Sequence, residues 1–389
     1  MQRCCRQLAR RTAMLWLILR VAVCCTAESF VISDTLLPAL HLLLALHDRG
    51  SPVCVLVLPL VSMMACAQAL QTSTPPAAAA SPPAAAPLMI DGHPSPIRLF
   101  YCTRWAQVAA AATSVRVFHV PSMETCLGTV ACESDQRQLL ARMLSYFPHA
   151  QLFPPTTWDE LFEPKDEVYA AFGDEFMLPA LWVPLPSLKD VQRVAAQILS
   201  GRSDGQYMLK GRYSHGAITA MPFTVTNGRC SALPGALGQL FTEHHQRCVG
   251  VQPYEPKLRD LEQRVFLVLN PGAAAGEPRW TQAVHVRTQF RAGGHCAWQS
   301  SPVHGPALQI SNFIQALLKK RPERFEQAAD LGIPMLRLDC SITSGRPARC
   351  FLNELAASDV VMFTGVHWQE LALHCGKSYA ASMWDMLQR

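Results

Sequence analysis

The stretch Leu336–Leu355, LRLDCSITSGRPARCFLNEL, decides the fold of this chain. From Leu336 to Cys340 every second residue is apolar, the period of a strand with one buried face. A turn composition, SGRP at Ser344–Pro347, follows, and then a second apolar segment. If the two segments pair as a hairpin about the Arg-Pro bond of that turn, Asp339 lies opposite Glu354, because both are equally far from it.

Two facing carboxylates repel each other unless a cation lies between them. Mg²⁺ prefers oxygen ligands and usually bridges carboxylates to phosphate oxygens. The hairpin therefore predicts a magnesium site at Asp339 and Glu354. In a regular strand Asn353 points away from Glu354, and only a β-bulge would redirect it. A surface hairpin with two exposed acids would have the same sequence pattern.

Upstream, Gly205–Ala217 (GQYMLKGRYSHGA) is typical of a short strand that runs into a glycine loop. Such a loop suits phosphate binding, because glycines let backbone N–H groups approach oxygens closely. Lys210 at the end of the strand adds a compact positive charge. An ordinary hairpin turn is the alternative interpretation.

Two further segments lie between the glycine loop and the hairpin. Cys248–Glu255 (CVGVQPYE) is typical of a buried strand that ends at a proline. In Glu262–Leu269 (EQRVFLVL), alternation places Glu262 and Arg264 on one face, where the arginine can grip a phosphate and the acid can orient it. Val284–Thr288 (VHVRT) alternates in the same way, and a solvated strand face is the alternative for both.

Taken together and in this order, the segments resemble the ATP-grasp superfamily from roughly Thr156 to the C-terminus. The resemblance implies an α+β (α/β) protein in which two α+β lobes clasp ATP, preceded by a small α/β domain. It implies ATP and Mg²⁺ as cofactors. It also implies a carbon–nitrogen ligase reaction, in which ATP activates a carboxylate as an acylphosphate that an amine then attacks.

The same resemblance assigns a role to each candidate residue. The phosphates are assigned to Lys165, Lys210 and a loop with Gly211, Ser214, His215 and Gly216, and adenine and ribose to Gln252, Tyr254 and Glu255. Glu262 is a further cofactor-binding residue, which orients Arg264. Catalysis is assigned to Arg264, Arg287 and Arg337, and magnesium to Asp339, Glu354 and Asn353. Many members of the superfamily carry a polar ligand two positions after the second acid, where this chain has Ala356. That departure leaves open a non-catalytic, ATP-binding assembly or regulatory protein.

The chain divides by composition into a hydrophobic leader (1–71), a Pro/Ala linker (72–87), a small α/β domain (88–155) and the ATP-grasp domain (156–389). The leader has a basic, acid-free start followed by apolar runs. It fits a signal peptide, an organellar transit peptide or a membrane tether through residues 13–70. We therefore expect a cytoplasmic or organellar protein, with membrane association as the alternative.

Composition and the absence of certain motifs limit the expected partners and the class of ATP-binding protein. The net charge is only +5 over 389 residues and no basic patch is interleaved with aromatics, so nucleic acid is not an expected partner. The expected partners are small-molecule or peptide carboxylates and amines. The 15 cysteines are scattered and form no CxxC pair, which is typical of small buried side chains in a reducing compartment. The absence of GxxxxGK[ST] argues against a P-loop NTPase.

Overall fold

The computed structural model describes residues 54–57, 86–90, 93–101, 117–119, 151–153, 156–162, 164–213, 219–258, 262–270, 272–274, 277–290, 296–300 and 306–357. They belong to two compact units. One unit contains residues 157–358 together with 130–132, and the other contains the rest of the chain.

The unit that contains the N-terminus holds five described strands: β1 (Cys54–Val57), β2 (Ala86–Ile90), β3 (His93–Tyr101), β4 (Val117–His119) and β5 (Gln151–Phe153). β1 pairs with β3 in parallel and β2 pairs with it antiparallel, while β4 and β5 form a separate parallel pair. β1 lies inside the predicted leader, so this sheet begins upstream of the boundary predicted at residue 88. The sequence predicts helices at 135–147, where the apolar residues share one helical face, and at 367–387. Both segments lie outside the described residues.

The other unit, which holds all the described candidate residues, begins within α1 and has a small four-stranded sheet. Its first elements are α1 (Thr156–Phe162), α2 (Lys165–Phe176), β6 (Leu181–Pro184), α3 (Val191–Leu199), β7 (Gly205–Gly211), β8 (Ala220–Val225), α4 (Leu233–Thr242) and β9 (Cys248–Pro253). The order β6-β9-β7-β8 is antiparallel throughout. One face of this small sheet, with Leu209 and Val251, packs on Ile198 of α3 and Leu237 of α4. The opposite face carries Lys210.

A five-stranded antiparallel sheet, called the large sheet below, completes this unit. Its elements are β10 (Gln263–Leu269), β11 (Trp280–Phe290), β12 (Cys296–Ser300), α5 (Pro306–Lys320), α6 (Pro322–Asp330), β13 (Met335–Ile342) and β14 (Cys350–Ala357). The strand order is β12-β11-β10-β13-β14. The mixed helix and sheet content agrees with the expected α+β class.

The two faces of β13 differ sharply in chemistry although both are buried. Leu336, Leu338 and Cys340 alternate with Arg337, Asp339 and Ser341, and each of the six is at most 4 % exposed. α5 packs against β13 and β14. Buried charges cost more to desolvate than apolar side chains, so a polar face inside a sheet is typical of a site rather than of a core built for stability.

α2 is fixed to the helices of the large sheet. The rings of Phe172 and Phe325 lie 6.0 Å apart, and those of Phe176 and Phe313 lie 5.9 Å apart. These contacts join the C-terminal half of α2 to α6 and α5. They leave the N-terminal residue of the helix, Lys165, facing the charged residues of the large sheet.

Most expected helices are present with shifted ends. The capping-box-like spacing of Ser187 and Asp190 predicts a helix over 187–200. This segment divides into a single 3₁₀ turn, Leu188–Asp190, and α3, and the Ser187 hydroxyl donates to Asp190 Oδ2 at 2.6 Å. The apolar patterns of 310–320 and 323–330 predict two more helices, which are α5 and α6 and begin at prolines. Among the described residues, no helix has both the length and the apolar content needed to cross a bilayer.

Candidate active site

The hairpin register confirms the predicted pairing of the two acids. Asp339 and Glu354 are direct partners across β13 and β14. The next pair is Cys340 with Leu352, so one residue, Asn353, is extra on β14. This extra residue is a β-bulge, and a bulge changes the alternation of side chains along its strand.

The bulge brings Asn353 to the same side as Glu354. Asn353 Nδ2 donates to Glu262 Oε1 at 2.9 Å, and Lys210 Nζ donates to Asn353 Oδ1 at 2.9 Å. Lys210 ends β7 in the small sheet, whereas Glu262 immediately precedes β10 in the large sheet. The side-chain amide therefore connects a lysine and a carboxylate from different sheets.

Two positively charged side chains lie close to the Glu354 carboxylate. Lys165 Nζ lies 3.1 Å from Glu354 Oε1, and one terminal nitrogen of Arg337 lies 3.6 Å from the same oxygen. The lysine belongs to α2 and the arginine to β13. Helix and sheet are thus joined at the carboxylate that the sequence predicts as a magnesium ligand.

Asp339 lies between two arginines at the centre of the polar face. Its Oδ1 is 3.2 Å from Arg264 Nε and 3.1 Å from Arg337 Nε, and Asp339 is only 1 % exposed. Arg264 comes from β10, where it is the register partner of Asp339. Both arginines are nearly buried, so their charges act through little water and are strong electrostatic groups.

Burial shifts the protonation of two members of this cluster. Desolvation and the positive charge of Lys165 lower the pKa of Lys210 to about 8. Desolvation and the negative charge of Asp339 raise the pKa of Glu262 to about 7. Groups with pKa values displaced toward neutrality inside a cleft are typical of functional sites.

An open cleft adjoins the cluster. Its lining includes Lys165, Lys210, Gln252 and Asn353 together with apolar side chains, among them Trp182, Met177, Leu178, Phe351 and Leu352. The Trp182 indole lies across the backbone of its register partner Gly250, where a Cβ would be 2.6 Å from the ring. Two lysines, two side-chain amides and several apolar side chains therefore line one cleft.

The residues assigned to adenine and ribose have different surroundings. Gln252 lines the cleft. Both oxygens of Glu255 are already engaged, one by Lys257 N and the other by the backbone N–H and hydroxyl of Ser344. The N–H of Tyr254 donates to Gln206 O. In this structure Glu255 therefore fixes the hairpin turn to the segment that connects the two sheets.

The glycine loop begins at Gly211, which is buried at the end of β7. A Cβ on Gly211 would lie 2.7 Å from the amide of Gln246 and 2.9 Å from Thr219 Oγ1, so a larger residue would require these side chains or the strand end to move. Gln246 accepts from Tyr213 N and donates to Tyr213 O, which holds the start of the loop. Ser214, His215 and Gly216 lie outside the described residues.

Arg287 lies on β11, at the position that pairs with Gln263 of β10. Its side chain lies outside the described part of the chain.

Sequence reasoning missed several residues that shape this region. Trp182 forms a wall of the cleft, Gln246 holds the loop, and Arg212 joins α2 to β7. Gln246 lies 33 residues from its partner Tyr213, and Arg212 lies 46 residues from its partner Asp166. A local motif contains no signal for such contacts, although the small residue at 250 is compatible with a ring lying on the strand.

The oxygen groups of the cluster fit Mg²⁺. Asp339 and Glu354 face each other, and Glu262 and the Asn353 amide lie beside them. Among the described residues, no three His, Cys, Asp or Glu side chains converge as a ready-made cage. Mg²⁺ does not need one, because proteins usually hold it with one or two carboxylates while phosphate and water complete the shell.

Comparisons with known proteins give structural neighbours only. No family model matches the chain, and no curated protein matches it. D-cycloserine synthetase DcsG is similar with 12% identity and a TM-score of 0.48, covering 86% of this chain and 99% of that one. D-alanyl-alanine synthetase A from Vibrio cholerae has 12% identity and a TM-score of 0.40, covering 64% and 72%. D-alanine-D-alanine ligase from Helicobacter pylori has 14% identity and a TM-score of 0.38, covering 64% and 65%.

These neighbours are ATP-grasp proteins. Any substrate in their names belongs to those proteins. Two features of this chain can be compared with the superfamily. One is the order of its sequence motifs, and the other is the set of residues that its two sheets bring together. On those features the chain resembles a divergent member of the ATP-grasp superfamily.

Proposed function

We propose that this protein is an ATP- and Mg²⁺-dependent ligase that joins a carboxylate to an amine through an acylphosphate. One observation carries the proposal. Lysines from α2 and β7 meet the acids and arginines of the large sheet on one face of the β13–β14 hairpin. The cluster contains four cationic groups (Lys165, Lys210, Arg264, Arg337) and three carboxylates (Glu262, Asp339, Glu354).

In this proposal, Lys165 and Lys210 bind the phosphates of ATP. Both ammonium groups contact oxygens of β14 in the free protein, and phosphate oxygens can take the same donors. Asp339, Glu354 and Asn353 would hold Mg²⁺, which when bound neutralises phosphate charge as a Lewis acid. Gln252 and Trp182 would lie beside the base in the adjoining cleft.

The two arginines supply the fixed charge that phosphoryl transfer needs. An oxygen of the substrate carboxylate attacks the γ-phosphorus in line, and the bond from that phosphorus to ADP breaks. Arg264 and Arg337, which are already oriented around Asp339, stabilise charge on the transferring group without reorganising. The amine nitrogen then attacks the acyl carbon, phosphate leaves, and the nitrogen loses its proton to solvent. The expected substrates are small-molecule or peptide acids and amines.

The first test is MgATP binding followed by turnover. Full-length protein should be stabilised by ATP only when Mg²⁺ is present, and a screen of acid and amine pairs should release phosphate. Glu354→Gln keeps the shape of the side chain but removes its charge, so it should abolish turnover while the protein stays folded. Glu323→Gln, an exposed residue of α6, serves as the control and should be unaffected. Normal turnover in the Glu354 variant would contradict the metal assignment.

A second candidate is a non-catalytic protein that binds ATP and acts as an assembly or regulatory factor. The observation that favours it is Ala356, which pairs with Arg337 but offers no ligand atom where the superfamily often has one. Mg-dependent ATP binding with no phosphate release from any acid and amine pair would favour this candidate. Substrate-dependent release would exclude it.

A further inference from the structure

We propose that Arg212 is a positioning residue that sets the spacing between Lys165 and Lys210. The inference rests on the proposed function, in which these two lysines bind the phosphates of one nucleotide. It adds a residue that contacts neither the nucleotide nor the metal. Arg212 acts by joining the first turn of α2 to the end of β7.

The backbone of Arg212 connects three elements. Its carbonyl oxygen accepts from Lys165 N at 3.0 Å, at the start of α2. Its N–H donates to Cys248 O at 3.2 Å, at the start of β9. Lys210 lies only two residues earlier on β7. A single residue therefore links the main chains that carry the two lysines.

The side chain of Arg212 strengthens the same connection. Its Nε donates to Asp166 Oδ1 at 2.7 Å, and a terminal nitrogen donates to Glu167 Oε1. These acids follow Lys165 directly, in the first turn of α2. The planar guanidinium can hold two acceptors at a fixed angle, which a lysine cannot do. The helix end is thus held against both translation and rotation relative to β7.

Stability alone does not explain this arrangement. The Arg212 side chain is 30% exposed and its partners are 25% and 49% exposed, and ion pairs this accessible contribute little to folding. The two ammonium groups, in contrast, repel each other, and the nearby charge of Lys165 contributes to the lowered pKa of Lys210. α2 is packed on the helices of the large sheet, whereas Lys210 belongs to the small sheet. The side chains of the two lysines meet at neighbouring residues of β14, Glu354 and Asn353, and Arg212 adds the connection between the backbone segments that carry them.

The chain offers a matched control. Arg279 also bridges two acids, Glu326 and Asp330, and its side chain is 34% exposed. It contacts no residue of the cluster described above. Arg212→Ala and Arg279→Ala should therefore lower the melting temperature by similar amounts. Only Arg212→Ala should weaken MgATP binding, by about tenfold, as measured by titration calorimetry on the full chain.

A double-mutant cycle separates positioning from a general structural effect. In a Lys165→Ala background the lysine that Arg212 positions is gone, so adding Arg212→Ala should weaken MgATP binding by less than about twofold. An equal loss in both backgrounds would overturn the inference. If Arg212→Ala does not fold, Arg212→Lys serves instead. It keeps the charge and the backbone contacts but loses the two-acceptor geometry, and it should show a smaller loss in the same direction.

The two proposals fail in different ways. If the wild-type protein does not bind MgATP, the proposed function is overturned and the role of Arg212 falls with it. If the wild type binds MgATP and Arg212→Ala binds it as well as Arg279→Ala does, only the inference about Arg212 is overturned. A selective loss in Arg212→Ala that shrinks in the Lys165→Ala background supports both.

Discussion

A carboxyl group as buried as that of Glu262 makes the stability of the protein depend on pH. Its pKa is raised from 4.5 to about 7 by burial first and by the charge of Asp339 second. The folded protein therefore holds this proton more tightly than the unfolded chain does. The resulting stabilisation is fully present below the unfolded pKa and is lost as the pH rises through about 7.

Glu262→Gln should reveal this linkage. The variant cannot ionise, so its free energy of unfolding relative to wild type should be more favourable at about pH 8 than at about pH 5. Urea unfolding at the two pH values measures the difference. The exposed Glu323→Gln provides the control, with a small and constant difference. A Glu262→Gln difference that does not change with pH would contradict the burial of an ionisable acid at this position.

Counting from an assumed turn centre between Arg346 and Pro347 predicts the pairing of Asp339 and Glu354, and the structure has that pair. The count fails nearer the turn, where Cys340 pairs with Leu352 and Ile342 with Cys350, so the two acids meet only because one extra residue is present on β14. The direction of Asn353 could not be predicted. It depends on a bulge, and the bulge allows contacts to Glu262 and Lys210, which lie 91 and 143 residues away. Contacts this distant in sequence are set by tertiary packing, which local alternation does not encode.

At the scale of elements, the end of β7 is closely packed. Gly211→Ala would place a Cβ within 2.7 Å of Gln246 and 2.9 Å of Thr219, so the strand end or Gln246 must move. We expect a loss of about 1–3 kcal/mol in the free energy of unfolding, as for other overpacked sites, together with weaker MgATP binding. Thermal denaturation with and without nucleotide measures both effects.

Gly235 in α4 supplies the matching control. Nothing lies within 4 Å of a Cβ built there, and alanine is the better helix former. Gly235→Ala should therefore leave stability unchanged or raise it, with no effect on nucleotide binding. If Gly211→Ala behaves like Gly235→Ala, the loop is not held by Gln246 in the way described.

The segments that the sequence predicts as strands β7, β9, β10, β13 and β14 all form. These five predictions are correct for the same reason, because each segment is a short apolar or alternating run with a clear end. The N-terminal boundary was less predictable, because β1 is too short for its pairing with β3 to show in its own four residues. An apolar run there is equally compatible with a leader and with a strand.

Over the whole molecule, the proposed nucleotide and metal ligands belong to one of the two compact units, that of residues 157–358. Binding of MgATP should therefore protect amides in that unit. Hydrogen exchange on the full chain should show slower exchange in peptides that contain β7, β9 and the β13–β14 hairpin. Peptides that contain β1 to β5 should exchange at the same rate with and without ligand. Protection confined to β1–β5 would show that nucleotide binds elsewhere.

The bulge on β14 shifts the alternation of side chains by one residue. One inserted residue changes which side chains lie on the polar face, so the Asn353 amide lies there and precedes Glu354 in sequence. If that amide is the metal ligand of the proposed function, a fixed-spacing pattern that requires a polar residue at position 356 would miss it. Homologues of this chain should therefore be sought with a pattern that allows the amide on either side of the acid.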